Sequence, residues 1–517
     1  MKTLRCLIAL AAVLGGCAAG PEFTAPALPV SSGYTPHAGP AATASAPVAH
    51  GAAQTFAVGQ AIRADWWALF KSPALNTLIE KALVANPSIE AAQASLRVAQ
   101  ESALAQRGYF YPTVAASYSP QRTKLAGNQG GNSPGVQGDG SVIAVQQGTP
   151  ANAGGAAPFN SPVIYNFHTA QLTVGYAPDV FGANLRQVQG LDALAQAQAH
   201  QLQAAYLTLA SNVVAAALQE ALLRQQIATT QAIVEGGRQA VDVLRRQLTA
   251  GYASRVDLAL QENALAQSQQ ALPPLRKQLE QTRNLLRALV GGMQDVELPE
   301  TFELAQLSLP EELPLSLPSQ LVAQRPDMRV AEAQLQAATA AVGVAAANRL
   351  PQFSINASWG GAASSFSQMF SNSGRFFNLA AGITQPIFDA GTLKHRERAA
   401  EEGLRQAQAL YQATAITAFQ NVADTLAAIE SDAQALAAAA SAERTSRKSL
   451  DLMQRQLAKG YIDRLTLLAA EQSHHQAALA LAQAQAARLG DTAALFQALG
   501  GGWWQGDGRT DSRAAAR

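Results

Sequence analysis

A chain of 517 residues can bury a large core, and its 37 Lys+Arg against 36 Asp+Glu leave a formal net charge of +1. No basic face therefore advertises nucleic acid, and no acidic tail advertises a solvating role. With 48% hydrophobic residues, many of them alanine, and only 14% charged, the composition suits long, closely packed helices better than a mixed enzyme fold.

The N-terminus carries Lys2 and Arg5, an apolar run over residues 7–13 and then small residues. That is the pattern of a signal peptide over residues 1–16, too short to span a bilayer as a helix. Leu14-Gly15-Gly16-Cys17 resembles the lipobox of bacterial lipoproteins. The resemblance implies cleavage before Cys17, which becomes a lipid-bearing N-terminus, and Ala18 in place of aspartate fits sorting to the outer membrane. An ordinary export signal with an incidental Cys17 is the plainer alternative. Cys6 leaves with the signal, so the mature chain keeps one cysteine and no internal disulfide; packing must hold it. Residues 24–60 are rich in Ala, Pro, Ser and Gly. They read as a tether within residues 17–64, with packed protein starting near Asp65-Trp66-Trp67.

Self-comparison then shows a duplication, residues 65–300 and 301–502, with a tail over 503–517. Asn86-Pro87 opens an alanine-rich stretch closed by Pro112, and Arg325-Pro326 opens a similar one closed by Pro351. Each reads as a helix. Strand-like alternation follows: Val114, Ala116 and Tyr118 against Thr113, Ser117 and Ser119, and in the second half Phe353, Ile355, Ala357 and Trp359 against Ser354, Asn356 and Ser358. After a Gly/Asn/Ser-rich break, a second alternating run arrives in each half, with Ala170, Leu172, Val174 and Tyr176 in one and Phe377, Leu379, Ala381 and Ile383 in the other. Each half thus carries a β hairpin, at about 113–178 and about 352–387.

Proline-free helical runs lead from these strands to two near-identical turns, RQLTAGYASRV at Gly251-Tyr252 and RQLAKGYIDRL at Gly460-Tyr461. The first run, roughly 65 residues, makes a rod of about 100 Å. Each turn sends the chain back as another helix, from Ser254 to Val290 and from Asp463 to Leu499, the first expected to break near Pro273-Pro274. The turns are the tips of two helical hairpins, at about 185–290 and about 393–499.

Strands with Tyr, Trp and Phe on one face and Thr, Asn, Gln and Ser on the other read as transmembrane barrel strands. Four per chain cannot close a barrel, whose smallest forms use eight. A trimer supplies twelve. The plainer alternative is two soluble hairpins on a helical bundle.

The order of DWWALFKSPALNTLIEKALVANP, Asp179-Val180-Phe181-Gly182, Arg325-Pro326-Asp327, the QPIFDAG stretch ending at Gly391 and both Gly-Tyr turns resembles the TolC-like outer-membrane efflux channels, in their lipoprotein (NodT-type) branch. The resemblance covers almost the whole mature chain. It implies a mainly α, internally duplicated homotrimer in which a short twelve-stranded outer-membrane β-barrel is continuous with a long periplasmic α-barrel. It also implies a periplasmic adaptor docking at Gly251, Tyr252, Gly460 and Tyr461, an inner-membrane transporter of RND type, contact with outer-membrane lipid, and no cofactor.

In that family the inner helical pair narrows the periplasmic end, and some members place carboxylates in the first turns of the last long helix. The matching positions here are Thr466 and Ala469, which departs from an acidic aperture. Leu465 becomes the expected apolar constriction of the gate, while Asp463 and Arg464 either pair across helices or stay solvated. The competing arrangement makes Asp463 itself an acid ring that attracts divalent cations. Aligning the tips on glycine sets Asp257 against Thr466; Asp257 either faces the pore or caps its helix.

No converging enzyme site is visible in the sequence. Adjacent His474 and His475 diverge by about 100° on a helix and no carboxylate or thiol partner is spaced to help complete a metal site, so a solvated or inter-helix polar contact is the better reading. The glycines between Gly127 and Gly155 follow no strand-to-helix phosphate loop and read as an external loop. Trp66-Trp67 and Trp503-Trp504 read as packing anchors. Three functions compete: a passive small-molecule duct of a tripartite pump, the outer-membrane channel of a type I-like protein secretion system, and a structural coiled-coil lipoprotein. The first is preferred by analogy with the lipoprotein branch.

Overall fold

The computed structural model describes residues 18–26, 33–35, 41–60, 62–125, 135–136, 142–143, 163–293 and 297–502. Cys17 and the signal segment, most of the glycine-rich loop, Trp503-Trp504 and the tail lie outside the described residues. In chain order the main elements are β1 (Thr55–Val58), α1 (Pro73–Ala85), α2 (Pro87–Arg107), β2 (Thr113–Leu125), β3 (Val163–Tyr176), α3 (Ala183–Thr249) and α4 (Arg255–Leu289). Then come β4 (Glu312–Leu315), α5 (Pro318–Gln324), α6 (Pro326–Ala347), β5 (Gln352–Ala363), β6 (Arg375–Thr384), α7 (Thr392–Ala458) and α8 (Arg464–Ala498). The duplication is metrical: α3 and α7 both run 67 residues, and α4 and α8 both run 35.

The chain forms two compact units, and both repeats contribute to each. The first comprises Met1–Thr24, Gln100–Ala193 and Gln336–Gln406 and holds a four-stranded antiparallel sheet in the order β2-β3-β5-β6. Its register stacks like on like. Ala116, Leu172, Trp359 and Phe377 lie in one row across all four strands, and Val114, Val174, Ala357 and Leu379 in another. Rows of opposite parity carry Ala115, Thr173, Ser358 and Asn378. The large side chains of the apolar face, Val114, Tyr118, Leu172, Trp359, Phe377, Leu379 and Ile383, are all exposed. β2 and β6 each have a strand neighbour on one side only among the described residues.

Both junction motifs in this unit cap helices. Asp179 accepts from the backbone N–H of Asn184 (3.1 Å) and Leu185 (2.7 Å) at the start of α3. Asp389 accepts from Gly391 and Leu393 (both 2.8 Å) before α7. Carboxylates there satisfy free N–H groups and complement the helix dipole. Residues 18–22 pass against the α3 start: Ala19 N–H donates to the Phe181 carbonyl (3.0 Å), and Arg186 donates to the Ala19 carbonyl (3.2 Å) and Glu22 (2.7 Å). A Cβ at Gly20, whose φ is +92°, would stand 2.3 Å from Gly343 Cα. Only glycine permits that approach.

The second unit comprises Ala25–Ala99, Leu194–Leu335 and Ala407–Arg517. Its core gathers Ile62, Trp66, Phe70, Leu78, Val213, Leu286, Leu321 and Phe496. Trp66 stacks on Phe496 at a centroid distance of 5.3 Å and meets Trp67 and Phe70 edge-on. α3 holds a stretch long and apolar enough to cross a membrane, but 61% of that stretch is buried inside the protein.

Three expectations change. The stretch within residues 24–60 is not a free tether: β1 pairs in parallel with β4, Thr43 and Gln54 are buried, and Tyr34 Oη donates to the Ser316 carbonyl (2.7 Å). Arg488 reaches the same segment, donating to Thr43 Oγ1 (2.9 Å), the Ala52 carbonyl (2.8 Å) and Gln54 Oε1 (3.3 Å). The fully buried side chains of this stretch, Thr43 and Gln54, are polar, and of its described residues only Tyr34 and Phe56 pack against the hydrophobic core, so hydrophobic pattern gave little sign of it. The second change is at Pro273-Pro274, where α4 continues unbroken. The carbonyls that lose their donors belong to Gln269 and Gln270, both exposed, where water replaces the missing bonds. Third, α2 and α6 stop at Arg107 and Ala347, several residues ahead of the closing Pro112 and Pro351.

Candidate functional site: the helical tips

The two tips share one closure. Gly251 (φ +82°) and Gly460 (φ +76°) take the left-handed conformation that ends a helix, and the following tyrosines bond back, Tyr252 N–H to the Gln247 carbonyl (2.8 Å) and Tyr461 N–H to the Gln456 carbonyl (3.0 Å). This six-to-one bond with glycine before it is the Schellman stop. It explains why Gly recurs at the same place in both turns. Tyr252 and Tyr461 are 86% and 76% exposed, so both turns present an aromatic ring outward.

Beyond the turns the tips diverge. At the first, Ser254 caps α4 through its hydroxyl on Asp257 N–H (3.1 Å), and Asp257 accepts in return from Ser254 N–H (3.0 Å) and Oγ (2.7 Å). Asp257 is thus a capping residue. The Ser254 bonds hold its carboxyl below the usual range. At the second tip the cap is Asp463, which accepts from Thr466 Oγ1 (2.6 Å) and Thr466 N–H (2.8 Å); those bonds lower its pKa. Arg464 leaves Asp463 alone and reaches α3, donating to Gln239 Oε1 (2.9 Å), with Glu471 Oε1 at 3.6 Å. Leu467 and Leu468 are buried, Leu465 is half-buried, and Thr466 and Ala469 are exposed. Asp463 and Thr466, read apart in sequence, are therefore one hydrogen-bonded cap.

His474 Nδ1 lies 3.3 Å from Ser446 Oγ on α7 and 4.0 Å from Glu443 Oε1. The inter-helix polar contact is present, with a carboxylate approaching His474 from the neighbouring helix, while Glu471 on α8 itself acts on His475. Burial and then the adjacent His474 lower the His475 pKa. No group of three or more metal-ligating side chains occurs among the described residues. Sequence reading missed the second role of Arg325, which forms a two-bond pair with Asp327 (3.0 and 2.6 Å) and donates to the Ala498 carbonyl (2.6 Å) at the end of α8. The Arg325-Pro326-Asp327 motif is the only prior signal of that clamp.

Known proteins share this architecture. A family model described as outer membrane efflux protein matches residues 78–292 and 317–501. The pyoverdine export outer membrane protein OpmQ of Pseudomonas putida is 29% identical over 85% of this chain and 88% of its own. The antibiotic efflux pump outer membrane protein ArpC of Pseudomonas putida is 27% identical over 99% and 98%. Among solved structures, the Neisseria gonorrhoeae MtrE outer membrane channel in its open state superposes with a TM-score of 0.74 at 24% identity, over 94% of this chain and 98% of that one. Two matched stretches that between them hold both strand pairs and both helical tips leave one assignment: the chain belongs to the outer membrane efflux protein family.

Proposed function

We propose that three copies of the chain form the passive outer-membrane duct of a tripartite pump that exports small molecules such as drugs, solvents or other toxic compounds. The exposed apolar face of the β2-β3-β5-β6 sheet carries this reading. Rows of Leu, Trp and Phe facing outward are costly in water and favourable against lipid. Two one-sided edge strands invite pairing with neighbouring copies, giving twelve strands. The long helices then form the periplasmic barrel. The tips at Gly251, Tyr252, Gly460 and Tyr461 dock a periplasmic adaptor, which joins the duct to an inner-membrane transporter of RND type. The relatives' names, pyoverdine export and antibiotic efflux, support small molecules as cargo.

Cys17 carries the lipid anchor in this reading, and the close seating of residues 18–22 supports a fixed exit for it. Cys17→Ser is expected to abolish incorporation of radiolabelled fatty acid, and continued labelling would refute the assignment. Membrane insertion persists in that variant, because lipid adds affinity without making the strands.

The gate is a ring of Leu465 side chains with Thr466 beside it, while Asp463 serves its cap and Arg464 ties α8 to α3. In planar bilayers the wild type is expected to show low conductance with little block by divalent cations, and Leu465→Ser a clear rise. Asp463→Asn keeps a competent cap, so it tests charge alone. Strong divalent block that disappears in Asp463→Asn, with Leu465→Ser unchanged, would make the gate electrostatic instead.

A further inference from the structure

Between β6 and α7, Ile387 and Phe388 are 92% and 89% exposed, the two most exposed large apolar side chains among the described residues. The matching connection of the first half is covered. There, between β3 and α3, Pro178, Val180 and Phe181 close a small cleft against Ala347, Pro351 and Phe353, and the Phe181 and Phe353 rings lie 6.3 Å apart. The covering corner is thus the α6–β5 junction of the second half. Its equivalent in the first half, the α2–β2 junction, lies open, with Tyr109, Tyr111 and Val114 exposed.

The duplication matches these positions residue for residue. Pro112 and Pro351 close the two alanine-rich stretches, which sets Thr113 against Gln352. Gly182 and Gly391, both of positive φ, precede helices of 67 residues that end before Gly251 and Gly460, which sets Gly175 against Thr384. The strand ladders agree, since Thr113 faces Gly175 in one half and Gln352 faces Thr384 in the other. Pro178 then corresponds to Ile387, and Phe353 to Val114.

We propose that residues 386–391 of one copy seat in the α2–β2 corner of the next copy, as residues 177–182 seat in the α6–β5 corner, with β6 continuing onto the neighbour's β2 in the β3–β5 register. This rests on the trimer reading above and adds which residues meet. β3 and β5 place Gly175 opposite Asn356 and Val174 opposite Ala357. Carried to the boundary between copies, Thr384 stands opposite Ser117 of the partner subunit and Ile383 opposite Tyr118 of the partner subunit. Apolar meets apolar and polar meets polar, a match that a slip of one residue reverses. Ile387 and Phe388 come to lie against Pro112 and Val114 of the partner subunit, so two exposed apolar patches cover each other.

The test uses the full chain in detergent. Opposed strand positions stand about 4.5 to 5.5 Å apart at Cα, within reach of a disulfide. Ser117→Cys combined with Thr384→Cys is expected to give, under oxidant, covalent species of two and three chains in denaturing electrophoresis, and either substitution alone none. Ser119→Cys combined with Thr384→Cys, displaced by about 7 Å, is expected to cross-link about tenfold more slowly or less. Faster cross-linking of the Ser119 pair overturns the register while the trimer stands. A chain that amine-reactive cross-linkers find monomeric removes the trimer and this proposal with it. Phe388→Ala, at a position exposed in the single chain, is expected to keep the helical signal and to lower the trimer fraction about tenfold. An unchanged trimer fraction overturns the seat, and weaker binding of that variant to phosphatidylethanolamine vesicles would then assign the loop to lipid.

Discussion

Trp66→Ala is expected to destabilise the unit comprising Ala25–Ala99, Leu194–Leu335 and Ala407–Arg517 by about 3 to 5 kcal/mol, the usual range for emptying a buried tryptophan site. The ring lies at a junction of elements far apart in sequence: it stacks on Phe496 of α8 and meets Phe70 and Trp67 edge-on. None of these rings can move into the vacancy without leaving its own contacts. Trp66→Phe separates packing from hydrogen bonding. The indole Nε1 is buried without a partner, so removing it forfeits no bond, and the loss is expected to stay well below that of alanine. Chemical denaturation followed by the helical signal measures both. Equal losses for Phe and Ala would mean that the ring stack contributes little.

Leu172→Arg and Phe377→Arg are expected to block assembly, whereas Asn378→Arg and Thr384→Arg remain tolerated. The four positions alternate on paired strands. Leu172 and Phe377 share the row that also holds Trp359, while Asn378 shares its row with Thr173 and Ser358. A cation on the lipid face costs about 2 to 4 kcal/mol near the bilayer midplane. In the proposed trimer three copies would multiply that cost around one barrel, while a lumen-facing cation would stay hydrated. Cross-linking in detergent reports the outcome: trimers for wild type and the Asn378 and Thr384 variants, monomers for the Leu172 and Phe377 variants. Equal damage on both faces would contradict the proposed lipid and lumen sides.

Much of this fold is written in local chemistry. Ser254 and Asp463 read as helix starts because small polar side chains reach free N–H groups, and both do so in the structure. Strand faces were legible from period-two alternation, though not the pairing of β3 with β5, which joins the two halves into one sheet. The tip turns were visible as repeated Gly-Tyr; that Asp463 and Thr466 form one cap was not read from the spacing, although three residues is the distance a cap spans. Least legible was anything held by polar groups distant in sequence. Arg488 with Thr43 and Gln54 leaves no periodic trace, since one residue from each of several elements makes the contact. The continuous α4 shows the opposite error, where a strong local signal at Pro273-Pro274 yields to a helix whose freed carbonyls are on the wet side.

The Arg488 contact also constrains the order of events in the cell. Arg488 and Thr43 stand 445 residues apart, and β1 finds its partner β4 only after residue 315 has been made. Contacts of such sequence separation close late, because the chain between them must be brought together first. The seat of residues 41–60 is therefore completed only when α8, with Arg488, joins the fold. Until then the alternating strands and alanine-rich helices are open to aggregation. A truncation that removes α8 is therefore expected to leave residues 41–60 unseated, since Arg488 and its contacts to Thr43, Ala52 and Gln54 go with it.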